Sequence, residues 1–362
     1  MKTILHVIDT TGPGGAETVF IEMVRDSMQQ GWKVICLIRG PGWVKDRLDE
    51  FGATVKVVNC KGAFNVRYLL TLMGEMRGSK VDVVHSHLLG SNVYCSIAGL
   101  LTAKKIICTF HGHVDVQERE RLRWLKFFII RLGARKVVAV TKSLELMLQR
   151  LVGRQNTIVI PNGINLELYS KKANAAPETD SVSGYDAIKI GSLGNIRKAK
   201  NYLLAIEIVG ALLSRGLKIE YYIAGDPKKE LMCELEKRVV ALGITESVKF
   251  LGFVEDVPRF LRSLDLFLIT SSSEGHPLAL TQAMATGLPI ISTKCGVEEI
   301  IDNTESGLIV DSFSAEEFAR VIEKLICDIG LMEQVGLGAQ EKAEQLYGLE
   351  SMRSRYRELY GV

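Results

Sequence analysis

The chain has 362 residues, of which 47% are hydrophobic and 24% charged. This length allows about two domains with buried cores, and the composition excludes a small module, a collagen-like chain and wholesale disorder. The net charge of +3 hides an asymmetry, because residues 1–165 carry +10 and the remainder carries −7. A basic first half predicts an anionic partner, such as phosphorylated ligands, anionic lipid headgroups or nucleic acid; a solvated basic face is the simpler alternative.

The N-terminal apolar stretch, from Ile4 to Ile8, is too short and too polar for a signal peptide, since it contains His6 and ends at Asp9. No window approaches 18 uninterrupted apolar residues, and the seven cysteines show no CxxC spacing. We therefore expect a cytoplasmic protein with reduced thiols.

Short β-branched runs alternate with longer amphipathic stretches along the whole chain. Strands are predicted at 4–8, 34–38, 55–58, 81–85, 106–110, 137–140 and 158–160, and again at 188–193, 219–224, 248–251, 266–270, 288–293 and 308–310. Continuous apolar strands separated by helices are typical of parallel sheets covered on both faces. The sequence thus predicts an α/β fold with two Rossmann-like domains.

We place these domains at residues 1–165 and 166–345. The polar, aperiodic segment KKANAAPETDSVSGYD, residues 171–186, is predicted to be the linker or a surface loop beside it. A basic and aromatic helix at about 345–362 has no strand after it and could pack back on the first domain.

A glycine-rich loop, TTGPGGAE at residues 10–17, follows the first predicted strand. Its glycines would allow backbone N–H groups to approach a phosphate or a sugar at a helix N-terminus, and a plain tight turn is the alternative. The loop fails as a dinucleotide fingerprint, because Glu17 stands where Gly or Ala is needed and Arg39 replaces the ribose-binding acid. A nicotinamide-dependent oxidoreductase is therefore disfavoured.

Five of the six histidines lie at or just beyond predicted strand ends, which is where open α/β sheets bind ligands. They are His85, His87, His111, His113 and His276. This placement favours function, although for any single one a satisfied structural histidine stays an open alternative.

The segment QERERLRWLKFFIIRLGARK, residues 117–136, contains seven basic residues and two glutamates. Its leucine and isoleucine stripe at helical spacing, Leu122, Leu125, Ile129 and Leu132, is predicted to pack in the core. Trp124, Phe127 and Ile130 widen the apolar face, which with the basic residues suits a helix lying on an anionic membrane surface. A simply buried helix is the alternative.

Two loops of the second half carry the sharpest chemistry. In GSLGNIRKAKN, residues 191–201, Arg197 and Lys200 follow a strand and could neutralise a diphosphate. In SSSEGHPL, residues 271–278, the amides before a helix predicted at 279–286 could hold an anion, while Glu274 accepts from hydroxyls. A serine-capped helix with a solvated Glu274 is the alternative.

These segments resemble a GT-B glycosyltransferase of glycosyltransferase family 4 over essentially the whole chain. The matching segments, in order, are PGGAE (13–17), DVVHSH (82–87), TFHG (109–112), IPNGIN (160–165), GNIRKAKN (194–201), AGDP (224–227), FLGFVEDVP (250–258) and EGHPLALTQAMATGLPII (274–291). Each motif alone is modest, but eight in the right order are specific.

The resemblance implies two Rossmann-like domains facing each other across a cleft. It also implies a retaining, metal-independent transfer of a hexosyl or N-acetylhexosaminyl group from a nucleotide diphosphate sugar to a polysaccharide, lipid-linked or other glycoconjugate acceptor. UDP-sugars are favoured, with GDP-sugars as the alternative, and no cofactor beyond the donor is implied. The absence of a DxD acidic pair agrees, and without a recognition module we expect no nucleic-acid partner.

By the same resemblance, Arg197 and Lys200 would bind the diphosphate, Glu274 would hold the donor sugar hydroxyls, and His111 would lie near the reacting sugar. Further donor contacts are expected from Gly14, Gly15, Asn195, Phe253, Val254, Gly275, His276, Pro277, Leu278 and Gln282. The acceptor-side candidates in the first domain are Glu17, His87 and His113.

Two positions depart from the family pattern. Gln282 stands where the second of two glutamates eight positions apart is expected, and it can still hydrogen-bond ribose hydroxyls. Asn195 follows Gly194 where many members have arginine, which leaves open which cation meets which phosphate. These departures motivate one alternative function, a catalytically degenerate GT-B subunit with a binding or regulatory role.

Overall fold

The computed structural model describes residues 1–59, 64–116, 120–170, 187–226 and 229–361. The chain forms two compact units, of which unit 1 comprises residues 1–163 and 350–362 and unit 2 comprises residues 164–349. The sequence-predicted linker at 171–186 lies outside the described residues.

Unit 1 is built on a seven-stranded parallel sheet in the order β3-β2-β1-β4-β5-β6-β7. Its strands are β1 (Thr3–Ile8), β2 (Lys33–Ile38), β3 (Thr54–Val57), β4 (Val83–His87), β5 (Lys105–Phe110), β6 (Lys136–Ala139) and β7 (Thr157–Val159). Its helices, before the C-terminal one, are α1 (Gly15–Gln29), α2 (Trp43–Glu50), α3 (Val66–Gly78), α4 (Leu89–Thr102), α5 (Arg123–Gly133) and α6 (Lys142–Val152). The central strands are buried along their whole length, because helices cover both faces of the sheet.

Unit 2 contains a six-stranded parallel sheet in the order β10-β9-β8-β11-β12-β13. Its strands are β8 (Ile188–Leu193), β9 (Ile219–Ala224), β10 (Val248–Gly252), β11 (Leu266–Ile269), β12 (Ile290–Thr293) and β13 (Leu308–Val310). Its helices are α7 (Tyr202–Ser214), α8 (Lys229–Ala241), α9 (Val257–Arg262), α10 (Leu278–Ala285), α11 (Ala315–Cys327) and α12 (Ile329–Leu346).

The fold class is confirmed, since both units are α/β with parallel sheets, and all thirteen predicted strands are present. Most boundaries agree within a residue or two. β4 begins at Val83 rather than Val81, so His85 lies inside the strand and only His87 lies at its end.

The last helix, α13 (Leu349–Tyr360), is packed into unit 1 by aromatic and charged side chains. The hydroxyl of Tyr360 lies 2.7 Å from Nδ1 of the buried His85. Arg357 forms an ion pair with both carboxylate oxygens of Asp26, whose side chain is fully buried on α1. The buried carboxylate therefore fixes the position of the helix.

The prediction for the face of α5 that packs in the core was wrong. Phe127 and Ile130, assigned to the widened face, are fully buried, whereas Leu125 and Leu132 of the supposed core stripe are more than half exposed. The two stripes lie side by side on the helix, and hydrophobicity alone could not decide between them.

Candidate active site

The centre of the unit 2 site is an ion pair between Lys200 and Glu274. Lys200 lies in a short 3-10 turn after β8, and Glu274 lies in the loop after β11. Because β8 and β11 are neighbours in a parallel sheet, their carboxyl ends meet at one edge, and Nζ of Lys200 lies 2.7 Å from Oε1 of Glu274. The Ser271 hydroxyl donates to the same oxygen at 2.6 Å.

Backbone hydrogen bonds hold this pair in place. The Ser272 amide donates to the Ala199 carbonyl, and the Glu274 amide donates to the Cys295 carbonyl. The Thr270 hydroxyl donates to the carbonyl of Lys200. These hydrogen bonds fix the two loops that carry Lys200 and Glu274, which favours a preorganised site.

The loop between β8 and the 3-10 turn requires glycine at position 194. Gly194 has φ 151°, which favours glycine, and a side chain there would contact the Lys200 side chain. The Tyr202 hydroxyl donates to the Gly194 carbonyl at 2.7 Å, and the amide of Asp226 donates to Oδ1 of Asn195. Arg197 is exposed and makes no ion pair with the described residues, so its guanidinium is accessible to an anion.

The segment from Gly275 to Leu278 leads into α10, which begins at Leu278, one residue before the predicted start. Pro277 is the N-cap in an extended conformation and no side chain caps the helix, so the alternative of a serine-capped helix was wrong. His276 is buried with its ring 5.0 Å from that of Tyr347, and burial lowers the pKa of His276 to about 4. His276 is therefore neutral and packed inside unit 2, and anion binding by the amides at the start of α10 stays a prediction.

The other donor-side candidates lie around this edge. The side chain of Gln282, on α10, forms a hydrogen bond with the Tyr169 hydroxyl. Burial raises the pKa of Tyr169 to about 12, and the bond with Gln282 partly opposes this rise. Phe253 and Val254 follow β10 at the same edge of the sheet, with Phe253 exposed and Val254 half-buried.

In unit 1, the glycine loop carries a carboxylate at its centre. Glu17 is buried in the first turn of α1, and a side chain at Gly14 would collide with its carboxylate. The amides of Gly14 and Gly15 therefore lie beside an acid.

Asp9, at the end of β1, accepts a hydrogen bond from the amide of Ser91. Burial raises the pKa of Asp9, and the Arg39 guanidinium 3.7 Å away opposes that rise.

The neighbouring strand ends bring His87 and His111 together. Nδ1 of His87 lies 2.9 Å from Nε2 of His111, and burial lowers the pKa of His111 to about 3. The backbone amide of His111 donates to Asp115 at 3.1 Å. Burial raises the pKa of Asp115 to about 6, and the charges of Asp9 and Glu17 add to this rise. Hydrogen bonds from the His111 and Gly112 amides oppose it. His113 is half-buried, and its Nε2 lies 3.4 Å from the Ser143 hydroxyl.

Three buried histidines, His6, His85 and His87, bring ring nitrogens within 4.8 Å of one another. Both ring nitrogens of His85 are hydrogen-bonded to hydroxyls, of Tyr360 and Thr109. Nε2 of His6 is bonded to Ser27 and Nδ1 of His87 to His111. This pairing fits a hydrogen-bonded core rather than a ligand set, since a metal would have to displace the partners of His85.

Sequence reasoning missed Ser271, Asp9 and Asp115. Ser271 could have been found from its position three residues before Glu274, in the loop after a strand. Asp115 gives a weaker signal, because an acid four residues after a strand-end histidine is common on any surface. Its contact with the His111 amide depends on a 3-10 turn, His113–Val116, that the pattern did not predict.

Comparisons with known proteins cover nearly the whole chain. The family model for Glycosyltransferase Family 4 matches residues 13–168, and that for Glycosyl transferases group 1 matches residues 187–328. A Rhizobium meliloti protein, the lipopolysaccharide core biosynthesis glycosyltransferase LpsE, is 25% identical over 96% of this chain and 95% of its own length. The Escherichia coli UDP-Gal:alpha-D-GlcNAc-diphosphoundecaprenol alpha-1,3-galactosyltransferase is 24% identical over 82% of this chain and 80% of its own.

Among solved structures, Anabaena HepE in complex with UDP-glucose has a TM-score of 0.84 at 19% identity, covering 99% of both chains. At this identity the likeness establishes the fold. Both units thus find counterparts in one known structure.

Proposed function

Because the chain belongs to the group 1, family 4 glycosyltransferases with the GT-B fold, we propose that it transfers a hexosyl or N-acetylhexosaminyl group, with retention of configuration and without a metal, from a UDP-sugar to a lipid-linked saccharide. GDP-sugars and polysaccharide acceptors are the alternatives within this function.

The observation that carries the proposal is the Lys200–Glu274 pair at the carboxyl edge of the unit 2 sheet. Lys200 and Arg197 supply positive charge for the diphosphate that leaves, and Glu274 accepts hydrogen bonds from sugar hydroxyls. The bond between the anomeric carbon and the phosphate oxygen breaks, and a bond to the acceptor oxygen forms on the same face. The acceptor hydroxyl proton passes to the departing diphosphate. These groups act by orientation and by stabilising charge that develops in the transition state.

The choice of donor and acceptor is supported by the relatives. HepE was solved with UDP and with UDP-glucose, and the E. coli relative is named for UDP-galactose and a diphosphoundecaprenol-linked sugar. Gln282 retains an amide that can bond ribose hydroxyls, and the exposed Phe253 can cover a base.

The first test is the thermal shift of the purified protein with UDP, GDP, ADP and NAD. A ligand at about 100 times its Kd adds about 2.7 kcal/mol of stability. A shift with UDP is expected, followed by transfer assays in which NMR of the product gives the anomeric configuration. Binding of UDP without turnover of any UDP-sugar would favour the degenerate subunit, and a shift with NAD alone would refute the donor site.

We further propose that α5 attaches the protein to an anionic membrane surface in the cytoplasm. Trp124 is 71% exposed, and further apolar side chains, Leu122, Leu125, Phe128 and Leu132, share its exposed side of the segment. Exposed Arg121 and Arg131 lie towards the two ends of this face. Apolar side chains bordered by basic ones suit insertion at the headgroup level. Among the described residues, none of the helices combines the length and apolarity that crossing a bilayer needs.

This attachment is tested by sedimentation with phosphatidylglycerol vesicles and with neutral phosphatidylcholine vesicles at low salt. The wild type should sediment with the anionic vesicles, and the double variant Trp124→Ser, Phe128→Ser should stay in the supernatant. Val240→Ser on α8, which removes an equally exposed apolar side chain from unit 2, is the matched control. Wild-type protein that stays in the supernatant would end the proposal.

A further inference from the structure

Three consecutive serines follow β11, and they differ in exposure. Ser271 is 1% exposed, whereas Ser272 and Ser273 are both exposed. A buried hydroxyl is unfavourable without a hydrogen bond, so the partner of Ser271 indicates what its hydroxyl does. It does not cap a helix, because α10 begins only at Leu278 and no side chain caps it.

The hydroxyl of Ser271 donates to the carboxylate of Glu274. Its Oγ lies 2.6 Å from Oε1, and Nζ of Lys200 lies 2.7 Å from the same oxygen. Two donors from different loops thus converge on one oxygen atom. The last side-chain torsion of a glutamate is otherwise broad, and hydrogen bonds to an ionised carboxylate are strong, so these two contacts restrict the direction of the carboxylate.

Ser271 is itself held firmly. Its carbonyl accepts a hydrogen bond of 2.6 Å from the hydroxyl of Thr293, which is fully buried at the end of the neighbouring strand β12. The residue before it, Thr270, donates its hydroxyl to the carbonyl of Lys200 at 3.0 Å. The segment after β11 therefore holds Lys200 by its backbone and Glu274 by its side chain. All of these residues belong to unit 2.

We infer that Ser271 is a positioning residue, which fixes the direction of the Glu274 carboxylate and so determines how this carboxylate meets the hydroxyls of the donor sugar. The inference rests on the proposed function, because a sugar hydroxyl is what Glu274 is proposed to bind. Ser271 acts only through Glu274 and does not touch the donor. Its removal should therefore affect the sugar part of the donor and leave the binding of UDP unchanged.

The kinetic test compares Ser271→Ala with two serine controls. Ser273→Ala removes an exposed hydroxyl from the same loop. Ser306→Ala removes a buried hydroxyl that accepts from the Asp302 amide before β13, at the opposite edge of the sheet. The donor is whichever of UDP-glucose, UDP-galactose and UDP-N-acetylglucosamine turns over fastest.

We expect Ser271→Ala to lower kcat/KM about tenfold, because a misplaced carboxylate loses its orientation towards the sugar. The Kd for UDP should stay within about twofold of wild type, and so should kcat/KM in both controls. Wild-type kcat/KM in Ser271→Ala would overturn the inference. A Kd for UDP that rises as much as kcat/KM falls would also overturn it, because the loop as a whole would then be distorted.

A double variant tests whether Ser271 acts through Glu274. In the Glu274→Ala background, Ser271→Ala should lower kcat/KM by no more than about twofold further, because the carboxylate that it positions is already absent. A further tenfold loss would show that Ser271 has a role of its own and would contradict the inference.

Thermal unfolding provides a measurement that does not depend on turnover. Ser271→Ala should lower Tm by about 3 °C in the wild type. In Glu274→Ala the Ser271 hydroxyl has lost its partner, so the same change should leave Tm unchanged or raise it. Equal losses in both backgrounds would refute the contact and with it the inference. Absence of UDP binding and of sugar transfer in the wild type would instead refute the proposed function.

Discussion

The Lys200–Glu274 pair should behave as one catalytic unit. At 2.7 Å, two unit charges interact by about 1.5 kcal/mol at the dielectric constant of water. The side chains are 23% and 13% exposed, so solvent screens part of any larger interaction. The expected rate loss comes from the proposed contacts with the donor rather than from the ion pair itself. Losing about 1.4 kcal/mol of transition-state stabilisation is tenfold in rate, and we expect Lys200→Met and Glu274→Gln each to lower kcat at least about tenfold.

The double variant tests whether the two side chains cooperate. Independent residues would lose about 100-fold together, whereas a coupled pair should lose little more than either single variant. The assay is initial-rate release of UDP in the presence of acceptor. Lys294→Met with Asp311→Asn is the control, because that pair has a similar separation of 2.9 Å after β12 and β13 but is exposed. A 100-fold loss in the double variant, or wild-type rates in either single variant, would refute the reasoning.

Three further results are expected. Arg357→Leu leaves the buried Asp26 carboxylate without its bidentate partner and should lower the free energy of unfolding by about 3 kcal/mol in thermal denaturation. Arg47→Leu, on the surface of α2, is the control and should change it little. Equal losses of stability in the two variants would refute the role of Arg357. Because the folded-state pKa of Asp115 is raised from 3.8 to about 6, its contribution to stability is present below the unfolded pKa and is lost as the pH rises through 6. The free energy of unfolding of Asp115→Asn, measured with denaturant, should therefore rise by about 2 kcal/mol relative to that of the wild type when the pH goes from 4.5 to 7.5. A difference between the two proteins that does not change with pH would contradict this. Gln282→Leu should raise the Kd for UDP about tenfold but leave that for 2′,3′-dideoxy-UDP nearly unchanged, since one ribose hydrogen bond is removed; equal effects in calorimetry would exclude the ribose contact.

The strands were predictable because each is a short run of apolar, mostly β-branched residues that is buried on both faces. The same pattern predicted two parallel sheets, and the loops after β8 and β11 were chosen as candidate sites because carboxyl ends of parallel strands collect ligand-binding residues. The contact of Lys200 with Glu274 could not be predicted from the local sequence, because the two residues are 74 positions apart and only the sheet brings them together.

The remaining features depend on contacts that no local pattern records. The bond between His85 and Tyr360 spans 275 positions, and the exposed face of α5 is decided by which of two adjacent stripes meets the rest of unit 1. His87 was correctly placed at a strand end, but its complete burial follows from packing by α1 and by other buried rings.

The return of α13 to unit 1 has a consequence for synthesis on the ribosome. Unit 2 is an insertion within unit 1, entered at Ile164 and left at Leu349, where the amide of Leu349 bonds the carbonyl of Ile164. The partner of the buried Asp26 and the hydroxyl bonded to His85 are therefore translated after all of unit 2. During synthesis, unit 1 therefore lacks α13, so that the Asp26 carboxylate is unpaired and His85 is uncovered until translation ends. Unit 2 can complete its own sheet before the chain is released. Slow synthesis through residues 164–349 should thus expose unit 1, rather than unit 2, to chaperones.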